Sequence, residues 1–386
     1  MTATDTPATR LAHIARDSGR YDGLVNLPVQ RGSSVLFPNA AALKAAGAHW
    51  DSAPYYGRHG TTPTFAFENA LAELHDGYRA VVTCSGVSAI TVALTAFLES
   101  GDHLLMTDAV YGPTRSFCDG MLRKFGVETT YYPPGQPAAA LEPLIRPNTK
   151  VIYLESPGSL TFELEDQRGI AALARARGIK TLADNTWATP LFCKPLSLGI
   201  DGVIESITKY IGGHSDLLMG VVVGTKDTYP LFKKSAALLG QYAAPDDMYM
   251  ALRGLRTLSL RLERQGKTAL KLAEWLAQQP AIARVLHPGL STHPQNAWFN
   301  RDFSGASGLF SIEVQSGLNS AKFVDALRLF GIGYSWGGFE SLALPVALQG
   351  QRTRSALPAG DIVRFSIGLE DAGDLQADIA QALGKL

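Results

Sequence analysis

The segment ESITKYIGGHSD, residues 205–216, places one lysine after a short β-branched run and before a turn of glycine and histidine. The hydroxyl residues Ser206 and Thr208 flank Lys209, and the local sequence offers its amine no obvious carboxylate partner. A lysine at the end of a buried strand loses hydration, which lowers the pKa of its amine. Such an amine is available as a nucleophile toward an aldehyde and as a proton carrier.

Two further predicted strands end in polar residues. The segment TCSGVSA follows a strand and opens a helix, so the backbone N–H groups of Gly86 and Val87 would face an anion such as a phosphate. The structural alternative is that Ser85 only caps this helix. The segment LADNTW ends another strand with Asp184, an acid that needs a cation or N–H donors to stay ionised. An N-cap is the alternative role for Asp184.

These residues together meet the needs of pyridoxal 5'-phosphate (PLP). PLP requires an amine for its aldehyde, an acid for its pyridine nitrogen, an anion site for its phosphate and an aromatic ring against its face. Lys209, Asp184 and Tyr111 would supply the amine, the acid and the ring. The predicted phosphate ligands are Ser85, Gly86, Val87, Ser206 and Thr208. The spacing of the histidines predicts no metal site.

An alternation of short apolar strands and helices predicts the scaffold that positions these residues. Predicted strands lie at AVVTCSG, HLLMTD, ETTYYP, KVIYLESP, IKTLADN and GVIESIT, with helices such as DQRGIAALARARG between several of them. Strands this uniformly apolar are covered by helices on both faces, which is typical of the mostly parallel sheet of an α/β protein. Ligands of such sheets bind beyond the carboxyl ends of the strands, where these polar residues are predicted to lie.

The chain divides into three predicted parts. Residues 1–60 have few regular apolar patterns and several Pro and Gly breaks, which predicts an extended N-terminal arm. Residues 61–245 form the predicted α/β domain. Residues 246–386 begin with a long amphipathic helical region and continue with strands at GLFSIEVQ and DIVRFSIG around the helix NSAKFVDALRLFG. This pattern predicts a smaller C-terminal α+β domain.

Composition narrows the class of partner. With 35 basic and 35 acidic residues the chain has no formal net charge, which argues against nucleic acid and anionic membranes and favours a small-molecule substrate. No apolar run approaches the roughly 20 residues of a membrane helix, and the N-terminal residues lack the apolar core of a signal peptide. Three cysteines without CxxC spacing predict a reduced, cytoplasmic protein.

Motifs along nearly the whole chain resemble the Cys/Met-metabolism family of PLP-dependent enzymes of fold type I. In the family's order they are YGRHGTTPT, TCSGVSA, YGPT, LESPGSLTFE, DNTWATPLF, TKYIGGHSD, GYSWGGFESL and VRFSIGLED. Two positions depart from the usual pattern: Gly202, where a bulky aliphatic residue is usual, and Val87, where methionine is common. Because both positions serve packing or N–H donation, these departures bear only on cofactor affinity.

The resemblance implies a role for each matching residue. Lys209 would be bonded to the cofactor aldehyde, Asp184 would keep the pyridine nitrogen protonated, and Tyr111 would stack on the ring. Arg364 would bind the substrate carboxylate with its planar guanidinium, with an internal salt bridge as the alternative. The residues implied to line the substrate end of the pocket are Tyr334, Ser335 and Trp336.

The resemblance also implies an oligomer with shared sites. Tyr56 and Arg58 would reach from the arm into the neighbouring subunit's site, where they would bind the cofactor and Tyr56 would also contact the substrate and take part in catalysis. The expected assembly is a homodimer at least, and a tetramer built from dimers. An exposed arginine and a packed tyrosine are the structural alternative for this pair.

Within the family, the resemblance implies β-elimination of L-cystathionine to homocysteine, pyruvate and ammonia, a step of methionine biosynthesis by transsulfuration. Relatives that act at the γ carbon usually carry a small aliphatic residue in place of Trp336. A γ-lyase or a γ-replacement enzyme would share the cofactor residues. A catalytically silent binding protein would keep the fold, so both alternatives stay open from the sequence.

Overall fold

The computed structural model describes residues 6–386, so residues 1–5 of the predicted arm lie outside the described residues. Its strands are β1 Arg79–Thr83, β2 His103–Thr107, β3 Glu128–Tyr132, β4 Thr149–Glu155, β5 Lys180–Asp184, β6 Gly202–Glu205, β7 Gly220–Gly224, β8 Ile282–Leu286, β9 Leu309–Val314, β10 Leu342–Val346 and β11 Ile362–Ser366. Its α-helices are α1 Pro7–His13, α2 Ala40–Gly47, α3 Thr62–Leu74, α4 Gly86–Thr95, α5 Gly112–Phe117, α6 Gln167–Ala176, α7 Thr189–Phe192, α8 Tyr229–Leu238, α9 Pro245–Arg256, α10 Leu258–Leu276, α11 Asn296–Asp302, α12 Ser320–Ala326 and α13 Ala372–Leu383.

The central sheet has seven strands in the order β1-β7-β6-β5-β4-β2-β3. Strand β7 runs antiparallel to both of its neighbours, and the remaining pairs are parallel. The α/β prediction with a mostly parallel sheet is therefore confirmed. Strand β7, which the sequence patterns did not predict, is the exception in direction.

Helices cover both faces of this sheet, because the strands carry apolar side chains on both faces. Helices α4 and α8 pack on one face and α3 and α6 on the other. The packing around Gly202 in β6 explains why this position departs from the family pattern. A Cβ atom there would lie 2.6 Å from the Phe232 ring and 2.8 Å from Leu182, so a larger residue has no room while Phe232 occupies that space.

The N-terminal segment is more regular than the predicted extended arm. Helix α1 buries Leu11 completely in the core, close to Ile14 and Leu27. The guanidinium of Arg256 donates a hydrogen bond of 2.6 Å to the carbonyl oxygen of Leu11. The described part of the arm therefore contains a packed helix, α1, and a second helix, α2, with irregular segments between and after them.

The C-terminal part contains a four-stranded antiparallel sheet in the order β10-β11-β9-β8. Strands β9 and β11 coincide with the two predicted strands, whereas β8 and β10 were not predicted. The long amphipathic region is divided into α9 and α10, which meet at Thr257. The domain boundary near residue 246 stays a prediction. Within residues 6–386, the structure contains no helix that is both long and apolar enough to cross a membrane.

Candidate active site

A cavity of about 190 Å³ lies at the carboxyl ends of β4, β5 and β6 and the N-terminal end of α4. The predicted site residues that line it are Ser85, Gly86, Val87, Tyr111, Asp184, Ser206, Thr208, Lys209, Trp336 and Arg364. The strands of the central sheet bring most of these residues together because their carboxyl ends meet at one edge, and the C-terminal part adds Trp336 and Arg364. The structure thus places ten predicted residues at one cavity.

Lys209 is half-buried in the turn that follows β6. Its amine donates a hydrogen bond of 2.7 Å to Ser335 Oγ and lies 5.2 Å from the ring centroid of Trp336. Burial and the nearby Arg364 lower the pKa of the Lys209 amine from 10.5 to about 8, against the opposing effect of Asp184. About a tenth of the amine is therefore neutral at pH 7, compared with less than a thousandth for an ordinary lysine. The amine has the basicity that the sequence argument required.

Asp184, the last residue of β5, also faces the cavity. Its Oδ1 accepts a hydrogen bond of 2.9 Å from the Thr186 N–H within a local turn. Asp184 is not an N-cap, because the next helix, α7, has Ala188 at that position. Burial raises the pKa of the Asp184 carboxyl, and the donors of Thr186 and the charge of Lys209 oppose that rise. A carboxyl in this position favours a cationic partner, and a protonated ring nitrogen is such a partner.

The turn before α4 lets the N-terminus of this helix lie close to Ser206. Ser85 Oγ accepts a hydrogen bond of 3.1 Å from the Ser88 N–H, so Ser85 caps α4 as well as lining the cavity. A Cβ atom on Gly86 would lie 2.7 Å from Ser206 Oγ, so only glycine allows the helix N-terminus and this hydroxyl to converge. The hydroxyl of Thr208 is already bonded to the backbone of Met219, at 3.1 Å. A helix N-terminus with a hydroxyl beside it can bind a phosphate.

Arg364 in β11 is a half-buried cation that lines the cavity. One of its Nη atoms donates a hydrogen bond of 2.9 Å to the carbonyl oxygen of Ser335. Within the described chain, its Nε is buried with no hydrogen-bond partner. Burial lowers the pKa of the Arg364 guanidinium. Among the described residues Arg364 forms no salt bridge, so the internal pair considered as the alternative is absent and the guanidinium is available to the carboxylate of a ligand.

Four predicted residues do not line this chain's cavity, and one of them, Ser335, still contacts the Lys209 amine. Arg58 donates a hydrogen bond of 2.9 Å to the carbonyl oxygen of Ala237, and Tyr56 packs edge-on near His59 and is 44% exposed. Tyr334 is 91% exposed. Their predicted roles therefore stay predictions, and for Tyr56 and Arg58 they depend on a second subunit.

Glu155, the last residue of β4, lines the cavity and was not predicted as a site residue. Its Oε2 accepts a hydrogen bond of 2.7 Å from the Tyr111 N–H, which fixes the backbone that carries the Tyr111 ring. Burial and the nearby Asp184 raise the pKa of the Glu155 carboxyl well above its ordinary value. The sequence feature that could have identified Glu155 is its position at the end of an apolar strand, which it shares with Asp184.

Glu205, four residues before Lys209, pairs with a different group. Its Oε2 lies 2.9 Å from His75 Nε2, and both side chains are buried. Among residues 6–386, Lys209 forms no salt bridge, in keeping with its sequence context. No cluster of acidic, histidine and cysteine side chains within residues 6–386 could hold a metal ion.

PLP fits the residues present in the cavity. The neutral fraction of the Lys209 amine suits an aldehyde, the buried Asp184 suits a protonated ring nitrogen, and the cradle at Gly86 suits a phosphate. The free donor of Arg364 remains for the carboxylate of an amino acid. A mostly parallel sheet that presents an amine, an acid and an anion cradle at its carboxyl edge, with a C-terminal part that adds a guanidinium, defines the class of PLP-dependent enzymes of fold type I.

Comparison with known proteins identifies the family. The sequence profile of the Cys/Met metabolism PLP-dependent enzymes matches residues 8–384. A putative cystathionine beta-lyase of Rhizobium johnstonii is 45% identical over 377 residues, which are 96% of this chain and 94% of that protein. Cystathionine beta-lyase MetC of Escherichia coli is 39% identical over 98% of both chains.

Comparison with solved structures supports the same family. The crystal structure of cystathionine gamma-lyase from Lactobacillus plantarum complexed with L-serine matches with a TM-score of 0.90 and 29% identity, over 99% of each chain. The chain belongs to the Cys/Met metabolism family of PLP-dependent enzymes. The predicted cofactor is thereby confirmed.

Proposed function

We propose that this enzyme is a PLP-dependent carbon-sulfur lyase that cleaves L-cystathionine by β-elimination. Water and cystathionine would give homocysteine, pyruvate and ammonia. The observation that carries the chemistry is the Lys209 amine, which has a pKa lowered to about 8 and shares one cavity with Asp184 and the free donor of Arg364. The choice of substrate is supported by the names of the relatives that are 45% and 39% identical.

PLP, when bound, supplies an aldehyde that captures amines and a protonated ring that accepts electrons from Cα. Residues of this chain bind the substrate and transfer the protons. Arg364 holds the substrate α-carboxylate, which orients the Cα–H bond toward Lys209. The Lys209 amine takes the Cα proton and then gives a proton to the departing thiolate, so one group acts as base and then as acid. Asp184 holds the proton on the ring nitrogen through both steps.

The position of Trp336 supports the β carbon as the site of cleavage. Its ring lies beside the Lys209 amine and packs edge-on against Tyr210, with ring centroids 5.2 Å apart. A large ring here fills space that a small aliphatic residue would leave open. Since a γ-lyase or a γ-replacement enzyme would use the same cofactor residues, Trp336 and the relatives' names are what separate the two reactions.

Product analysis tests this proposal. The PLP-loaded enzyme is incubated with L-cystathionine, and the products are identified by mass spectrometry. Homocysteine and pyruvate are expected in equal amounts, and the Lys209→Ala variant should form neither. Cysteine with 2-oxobutyrate would instead identify a γ-lyase. If the enzyme binds PLP but leaves cystathionine intact, the result would favour another reaction of the family or a silent binding role.

We also propose a cytoplasmic homotetramer built from dimers, in which Tyr56 and Arg58 complete the neighbouring subunit's site. The support is that both residues lie outside the chain's own cavity, and that Leu36, in the same arm, is 94% exposed. The three cysteines are free, as in proteins of reducing compartments. The domain bounds 61–245 and 246–386 belong to the same proposal.

Subunit complementation tests the shared site. Lys209→Ala and Arg58→Ala chains should each be nearly inactive alone. A mixture refolded together should regain up to about a quarter of wild-type activity, because half of the dimers are mixed and each mixed dimer has one intact site. No recovery in mixtures that do form mixed dimers would place Arg58 in its own subunit's site or outside any site.

A further inference from the structure

A buried arginine outside the cavity connects the C-terminal part of the chain to one cavity wall. Arg352 is 7% exposed. Its guanidinium donates to the carbonyl oxygens of Ser159 and Asp108, the latter at 3.0 Å, and to Thr161 Oγ1 at 3.1 Å. These acceptors, two backbone carbonyl oxygens and one hydroxyl, are all neutral. Burial lowers the pKa of the Arg352 guanidinium, so its position carries an energetic penalty.

The wall that Arg352 contacts is strained. Leu160 and Phe162, which line the cavity, have φ angles of 71° and 60°. This left-handed region is unfavourable for residues with branched or bulky side chains. Two left-handed residues so close together persist only if their surroundings impose that conformation. Arg352 binds the residues on either side of Leu160, through the Ser159 carbonyl and the Thr161 hydroxyl.

Arg352 is itself held by the residues that follow it. The carboxylate of Asp108 accepts hydrogen bonds from the N–H groups of Thr353, Arg354 and Ser355, at 3.0, 2.8 and 3.0 Å. The guanidinium of Arg115 donates to the same carboxylate at 2.7 Å. Burial alone would raise the pKa of Asp108, but these donors lower it to about 2. Asp108 therefore stays ionised and keeps the backbone after Arg352 in place.

We propose that Arg352 is a positioning residue for the substrate. It holds Ser159–Phe162 in the strained conformation and so shapes the cavity beside Trp336, since Phe162 and Trp336 share one apolar cluster with Trp187. This inference rests on the proposed function. Arg352 touches neither the cavity centre nor Lys209, so its effect is exerted through the wall.

A double-mutant cycle between Arg352→Met and Leu160→Gly tests the inference in the PLP-loaded enzyme. Arg352→Met should raise KM for cystathionine about tenfold and change kcat less than about threefold, with the absorbance of bound PLP retained. Glycine adopts positive φ without strain, so a Leu160→Gly enzyme should depend less on Arg352. In the Leu160→Gly background, Arg352→Met should therefore raise KM much less than it does in the wild-type background. Arg284→Met, at a side chain that is 59% exposed, is the matched control.

A second readout does not depend on turnover. Amide hydrogen exchange over residues 158–163 of the PLP-loaded enzyme should be at least about tenfold faster in Arg352→Met than in wild type. Unchanged exchange and KM, with only a lower unfolding temperature, would reduce Arg352 to a stabilising role and overturn the inference. An equal loss in both Leu160 backgrounds would overturn the strain argument. If wild type does not cleave cystathionine, the proposed function fails while the exchange comparison still tests Arg352.

Discussion

Replacing Lys209 by methionine removes a cation from a half-buried position and keeps most of the side-chain length. The folded-state pKa of about 8 lies below the ordinary value of 10.5, so the unfolded chain binds more protons between these pH values. Stability therefore rises with pH across that window. Below pH 8 the wild-type protein carries the full penalty of its buried ammonium group, and the methionine variant does not.

The size of the effect follows from the pKa values. The difference between 10.5 and about 8 corresponds to about 3 kcal/mol. Partial solvent exposure and the lost hydrogen bond to Ser335 reduce the expected gain for Lys209→Met to about 1–2 kcal/mol at pH 7. The gain should vanish as the pH approaches 10.5. A variant that is inactive and yet more stable would show that Lys209 is kept for chemistry.

Urea unfolding of the cofactor-free proteins, at several pH values between about 7 and 10, measures this gain. Lys267→Met is the control for loss of an exposed lysine, because that side chain is 76% exposed. The reasoning is refuted if Lys209→Met is less stable than wild type at pH 7. It is also refuted if the difference between the two proteins does not change with pH.

Three further outcomes follow from the same geometry. With Lys209 as the base, kcat should rise with pH up to about 8 and then level off, and a flat profile from about pH 6 to about pH 9 would exclude that role. Asp184→Asn should lower kcat at least about a hundredfold while PLP still binds, which absorbance and pyruvate assays measure together; near-normal turnover would contradict its role at the ring nitrogen. Arg364→Lys keeps the charge but loses the planar fork, so KM should rise about tenfold or more with a smaller change in kcat; an unchanged KM would move the carboxylate site elsewhere.

The strand ends were the most predictable part of the molecule. Lys209, Asp184 and Gly86 each follow a short apolar run, and local sequence is enough to find such a run and the polar residue after it. Strands β1, β5 and β6 run in the same direction, which brings these residues to one edge of the sheet, as expected for this class of sheet. The cofactor followed from three local signals and one general rule about where parallel sheets bind ligands.

Features that depend on distant pairing were not predictable. Strand β7 is the five-residue run GVVVG, and its antiparallel direction is set by β1 and β6, which lie on either side of it in the sheet. Helix α1 owes its order to burial of Leu11 against helices more than 200 residues away in sequence. The proposed role of Arg352 depends on carbonyl groups that the fold brings to it from the residue after β2 and from the loop after β4.

The central claim is that the Lys209 amine is the group bonded to the cofactor aldehyde. Reduction of the PLP-loaded enzyme with borohydride makes that bond permanent, and peptide mass spectrometry then locates it. The phosphopyridoxyl group should be found on Lys209 in stoichiometric amount. Its presence on another lysine, such as the buried Lys233, or its absence from every peptide would contradict the account.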